Sequence, residues 1–96
     1  MATILNRVAQ TVRDLKMLNL IKANDDVRFC LSEERSYYFV WIILCEERPN
    51  QDFEGDLTTI KNCFEQEFQE EISKSRIASK EKLNLRNEFK CFISAN

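Results

Sequence analysis

Histidine is absent from this chain of 96 residues, and glycine and proline occur once each, as Gly55 and Pro49. The first absence removes the side chain most often used for acid–base work near neutral pH. A single glycine excludes the G-x-G-x-x-G and G-x-x-x-x-G-K-[ST] phosphate loops, and also the G-x-x-G loop with which KH domains clamp a nucleic-acid backbone. With so little turn-forming material, long regular elements should dominate. Nor is there a long hydrophobic run. The longest uncharged stretch of high apolarity, Tyr37 to Cys45, has nine residues, well short of the roughly 20 that a membrane-spanning helix needs. A lone strand in lipid would leave its backbone groups unpaired, so no membrane partner is expected.

The four cysteines, Cys30, Cys45, Cys63 and Cys91, form no C-x-x-C pair. A metal centre would have to gather all four from distant elements, so no metal site is expected. The opening segment carries Arg7, Gln10 and Arg13 where a secretory leader needs an unbroken apolar stretch. The expected setting is therefore reducing and cytoplasmic, with the thiols free. No Ser or Cys nucleophile has a base beside it in sequence. Neither catalysis nor a cofactor is expected.

What is present reads as one domain over residues 1–96. Hydrophobic residues make up 44% and charged ones 31%, a balance that suits a folded chain rather than a disordered one. The net charge of −2 is unevenly spread. Residues 46–72 hold two basic and nine acidic side chains, whereas residues 73–96 hold six basic and two acidic.

Ile4, Leu5, Val8, Val12, Leu15, Leu18 and Ile21 recur at helical spacing, predicting a helix over 3–22 capped by Thr3. Asn24-Asp25-Asp26 should end it. Residues 27–32 alternate, with Val27, Phe29 and Leu31 on one side, and predict a strand. Four residues, Glu33 to Ser36, connect it to the aromatic and β-branched run beginning at Tyr37. Leu57, Ile60, Phe64, Phe68 and Ile72 predict a second helix from 56 to about 74, capped by Asp52 or Asp56. Glu65, Glu67, Glu70 and Glu71 lie mostly off that stripe and should form a solvated face. Residues 82–93 alternate again, apart from Asn87 and Phe92, and predict a last strand; a helix carrying Leu85, Phe89 and Phe92 is the other reading.

The order α-β-β-α-β predicts an α+β fold, a two-layer sandwich with both helices on one face of a three-stranded, mainly antiparallel sheet. The last strand should lie beside the first, giving order 3-1-2, or run parallel to the second through a crossover.

A four-residue connection pairs Leu31 with Tyr38, Phe29 with Val40 and Val27 with Ile42. Those residues and Leu44 form a core face. Tyr37, Phe39, Trp41 and Ile43 then fall on the opposite face, beside Arg28, and two helices on one face cannot cover both; the other reading is that the first helix, packed on the opposite face, or the polar segment 73–82 covers this row within the chain. These five residues are the candidate partner-binding site, with Lys82, Arg86 and Lys90 as a charged rim. Aromatic anchors within a charged rim are the usual anatomy of a protein interface. The expected function is a small non-catalytic interaction protein, self-associating or bound to another protein as adaptor, complex subunit or inhibitor. The alternative is single-stranded nucleic-acid binding, in which the aromatics stack on bases and the Arg and Lys side chains meet phosphates. The acidic second helix disfavours it.

Overall fold

A computed structural model of the chain describes residues 3–47, 53–75 and 86–95. The first helix, α1, spans Ile4–Met17. Thr3 caps it as expected, its hydroxyl accepting from the Asn6 N–H at 3.1 Å. The helix stops five residues earlier than the apolar pattern suggested. Asn19 adopts φ 63°, and the N–H groups of Leu20 and Asn19 turn back to the carbonyls of Leu15 and Lys16. This is a Schellman termination, with asparagine taking the left-handed position usually held by glycine.

Val8, Thr11 and Leu15 are buried on α1, and Ile21 is buried beyond it. Leu5 and Leu18, read from the sequence as part of the stripe, are 55% and 65% exposed. At about 100° per residue, Leu5 lies roughly a quarter-turn round from the buried line. Leu18 falls on the cap, outside the helix proper.

Strand β1 (Asp26–Leu31) and strand β2 (Tyr37–Ile43) form the expected hairpin. Its register is the predicted one, with Leu31 opposite Tyr38, Phe29 opposite Val40 and Val27 opposite Ile42. Ser32 closes the connection: its N–H donates to the Tyr37 carbonyl at 2.9 Å, and its hydroxyl accepts from the N–H groups of Ser36 and Tyr37.

Helix α2 (Phe53–Glu67) continues almost directly into α3 (Gln69–Ser75). The Phe68 and Ile72 N–H groups keep helical bonds across the junction, at 2.9 and 2.8 Å. Ile60, Phe64 and Phe68 are fully buried, as their spacing implied. Phe53 is buried too and extends the same stripe one turn earlier than expected. Asp52, one of the two expected caps, lies outside the described residues; Asp56 sits in the first turn.

Strand β3 (Glu88–Ser94) settles the last segment as a strand. It lies beside β2 and runs antiparallel to it, so the sheet order is β1-β2-β3. Neither arrangement derived from the sequence is adopted. Both have the last strand running in the same direction as the second, whereas β3 runs opposite to β2. The chain thus enters β3 where it left β2: the Leu44 N–H donates to the Asn87 carbonyl at 2.8 Å, and the Asn87 amide donates back to the Leu44 carbonyl at 2.9 Å.

The class is therefore α+β with an antiparallel three-stranded sheet. One core cluster joins Val8 and Leu15 of α1 and Ile60 and Phe64 of α2 to Val40, Ile42, Phe89, Cys91 and Ile93 of the sheet. Leu83 and Leu85, expected on the same face, lie outside the described residues.

Candidate interaction face

Pleating sends alternate side chains of β2 to opposite faces. Val40 and Ile42 enter the core, so Tyr37, Phe39, Trp41 and Ile43 share the other face, as the hairpin register required. The pairing on either side of β2 arranges this face in tiers. Asp26, Ile43 and Glu88 form the first. Arg28, Trp41 and Lys90 form the second, and Cys30, Phe39 and Phe92 the third. Tyr37 and Ser94 belong to the fourth.

The aromatic side chains pack on one another. Phe39 stacks on Phe92 with centroids 5.1 Å apart, Tyr37 meets Phe92 edge-on at 5.6 Å, and Trp41 lies 6.0 Å from Phe39. Both second-tier cations lie over the indole, Arg28 at 5.0 Å and Lys90 at 5.6 Å from the Trp41 ring. Such contacts contribute roughly 0.5–1 kcal/mol each where exposed. Tyr37, Phe39, Trp41 and Ile43 are half-buried. The Trp41 Nε1–H is enclosed, and no acceptor meets it.

Each cation also has an acid beside it in the first tier. Arg28 pairs with Asp26 at 3.0 Å, and the Lys90 ammonium lies 4.0 Å from Glu88. Exposure falls from one edge to the other: Asp26, Arg28 and Cys30 on β1 are exposed, whereas Glu88, Phe92 and Ser94 on β3 are buried.

Of the rim expected from the sequence, Lys90 joins the face and Lys82 lies outside the described residues. Arg86 goes elsewhere. It lies 4.8 Å from the Phe53 ring and pairs with Glu46 at 3.4 Å, at the start of α2. Phe92 is the member that sequence reasoning missed as a site residue. Its signal was present, because it broke the polar parity of the last strand.

The acids of the helical segment also divide. Glu67 and Glu71 are not simply solvated, since both grip Arg7 of α1. Glu65 and Glu70 are exposed.

Among the described residues the most exposed large apolar side chain is Met17, 85% accessible at the end of α1. Leu18 beside it borders a groove of about 220 Å³ between α1 and α2, shared with Leu15, Cys63 and Gln66. Leu5 stands about three turns away along α1. Such separate residues are normal surface features. The β2 row, by contrast, places four large apolar side chains in one continuous line. Among the described residues, no cluster of acidic residues and cysteines is arranged to hold a metal ion, and no helix is long and apolar enough to cross a membrane.

No family model matches the chain, and no curated protein or solved structure is significantly similar to it.

Proposed function

We propose that this chain is a small, non-catalytic protein–protein interaction module that buries the Tyr37–Phe39–Trp41–Ile43 row, with Arg28 at its edge, against a protein partner. The observation that carries this reading is the charge balance of the face. Aromatic rows flanked by cations serve either nucleic acids or proteins, and the two differ in electrostatics. Binding a single strand needs uncompensated positive charge along the backbone path. Here Arg28 is offset by Asp26, and Lys90 has Glu88 beside it. The four charges sum to zero, so the row offers apolar area with fixed, locally neutral polar groups. That is the composition of a protein interface, in which aromatic anchors dominate the energy and a polar rim sets orientation. Adaptor, complex subunit and inhibitor are the roles open to such a module.

Tagged wild-type chain, Trp41→Glu and Leu5→Glu serve as baits in cells of the source organism, alongside an untagged copy of the chain. The expected result is a protein retained by wild type and Leu5→Glu but lost from Trp41→Glu. Identical captures by all three baits overturn the proposal. A fluorescent single-stranded oligonucleotide provides the second arm. No binding is expected at low salt; binding that weakens as salt rises would favour the nucleic-acid reading instead.

A further inference from the structure

We infer that the outer edge of β1 is a second binding surface, which takes an extended acidic segment of a protein partner as an added antiparallel strand. This edge lies apart from the Trp41 row and does not depend on what covers that row.

The backbone of the edge is open. The Ser32 N–H donates to the Tyr37 carbonyl, and antiparallel pairs alternate between bonded and non-bonded. Asp26, Arg28, Cys30 and Ser32 therefore turn their backbone groups toward β2. Val27, Phe29 and Leu31 turn theirs away from it, and β1 is the last strand on that side. Among the described residues, no strand pairs with them. Edges are normally blunted by lysine, proline or a bulge; β1 has none of the three. The same three residues also form an apolar row that the core only half-covers. Val27 and Phe29 are half-buried, and Leu31 is 38% exposed. An extended chain can bond to such an edge through its backbone and lay alternate side chains on the row.

Charge selects the segment. At the Val27 end, a groove of about 750 Å³ is lined by Lys16, Ile21, Lys22 and Asp25. Both Asp25 carboxylate oxygens are already engaged, Oδ2 accepting from the Lys22 N–H at 2.8 Å and Oδ1 from the Cys45 N–H at 2.7 Å. Among the described residues, neither lysine ammonium has an acid within ion-pair distance. The groove is therefore net positive above an apolar floor of Ile21 and Val27. In antiparallel pairing the C-terminal end of the added strand reaches it. The fitting segment alternates apolar residues and ends in acidic ones.

The probe is a fluorescent acetyl-VTVEVTEE-amide peptide, titrated into the full chain at low salt. Its valines fall opposite Leu31, Phe29 and Val27, and its last two acids reach the groove. Saturable binding is expected below about 1 mM, with hydrogen exchange slowed at the Val27, Phe29 and Leu31 amides. N-methylation of the three valines should abolish binding. Leu31→Pro removes one outward donor at an edge position where proline is tolerated, and should weaken binding about tenfold. Lys16→Gln combined with Lys22→Gln should weaken it about two- to tenfold, a difference that closes as salt rises. Trp41→Glu should bind as wild type does.

No binding by about 1 mM, or binding that leaves the three edge amides exchanging freely, overturns the inference. Equal affinity for acetyl-VTVKVTKK-amide overturns the acidic preference. Loss of binding in Trp41→Glu would set the peptide on the aromatic row instead of the edge, and also overturns it. None of these outcomes alters the captures that test the Trp41 row.

Discussion

The Arg7 guanidinium donates to Glu67 Oε1 at 3.1 Å, to Glu71 Oε2 at 2.6 Å and to the Glu67 carbonyl at 2.6 Å, and lies 4.6 Å from the Phe68 ring. One side chain of α1 thus ties down the junction of α2 and α3. Charge-assisted bonds of this kind contribute about 1.5–3 kcal/mol each where well shielded, and less where solvent reaches them. Arg7 and Glu71 are both under one-third exposed, so Arg7→Ala should cost about 1–3 kcal/mol, read from urea unfolding. Lysine should recover only part of this, lacking the planar fork. The same clamp sets an acid dependence. Hydrogen bonding from Arg7 holds the Glu71 carboxyl below its ordinary value of 4.5. A depressed folded-state value means the stabilisation is complete above the ordinary value and is lost as pH falls through the folded one. Glu71→Gln should therefore lose less stability than wild type between pH 7 and pH 3; an equal loss would show that other carboxylates dominate the acid limb. At Trp41 the argument runs the other way. Its enclosed Nε1–H lacks an acceptor, a cost of about 1–3 kcal/mol that phenylalanine avoids. Trp41→Phe should accordingly change the unfolding free energy by less than about 1 kcal/mol, despite the smaller ring.

At the scale of elements, the end of α1 shows how local chemistry overrides an apolar pattern. The stripe runs on to Ile21, and Ile21 is buried, yet the helix stops at Met17 because Asn19 takes the left-handed conformation. That conformation costs a β-branched residue the most and glycine almost nothing. Asn19→Val should lower stability by about 1–2 kcal/mol, whereas Asn19→Gly should match or exceed wild type; thermal melts followed by circular dichroism compare them. The sequence patterns with strict local causes were readable. A four-residue connection and alternating polarity gave the hairpin register, and hence the division of Tyr38, Val40 and Ile42 from Tyr37, Phe39 and Trp41. The spacing of Ile60, Phe64 and Phe68 gave the buried line of the second helix. Strand order was not readable, because nothing local records which edge of β2 the returning chain pairs with. Arg86 and Lys90 are both cations of one parity, yet one stacks on Phe53 and the other on Trp41. That distinction arises from where β3 begins.

For the molecule as a whole, Phe64 links the helices to the sheet. It stacks near Phe68 at 6.1 Å and meets Phe89 of β3 at 5.5 Å, inside a cluster that also holds residues of α1 and β2. Helices and sheet share these side chains, so neither has an apolar core of its own to retain when the other unfolds. A chain of this length typically has about 5–14 kcal/mol of stability in total. Removing a buried phenylalanine ring costs about 3–5 kcal/mol, since both the transfer energy and the packing around the void are lost. Phe64→Ala should therefore consume a large share of that total and shift the urea midpoint strongly downward, with the slope little changed. The chain supplies its own pair of reporters. Trp41 is the only tryptophan and sits on the sheet, while far-ultraviolet circular dichroism is dominated by the helices. Both signals should trace one coincident transition, in wild type and in Phe64→Ala. If the helical signal were lost at a lower urea concentration than the tryptophan signal, α2 and α3 would form a separate unit from the hairpin, and the shared core would not be what holds the two together.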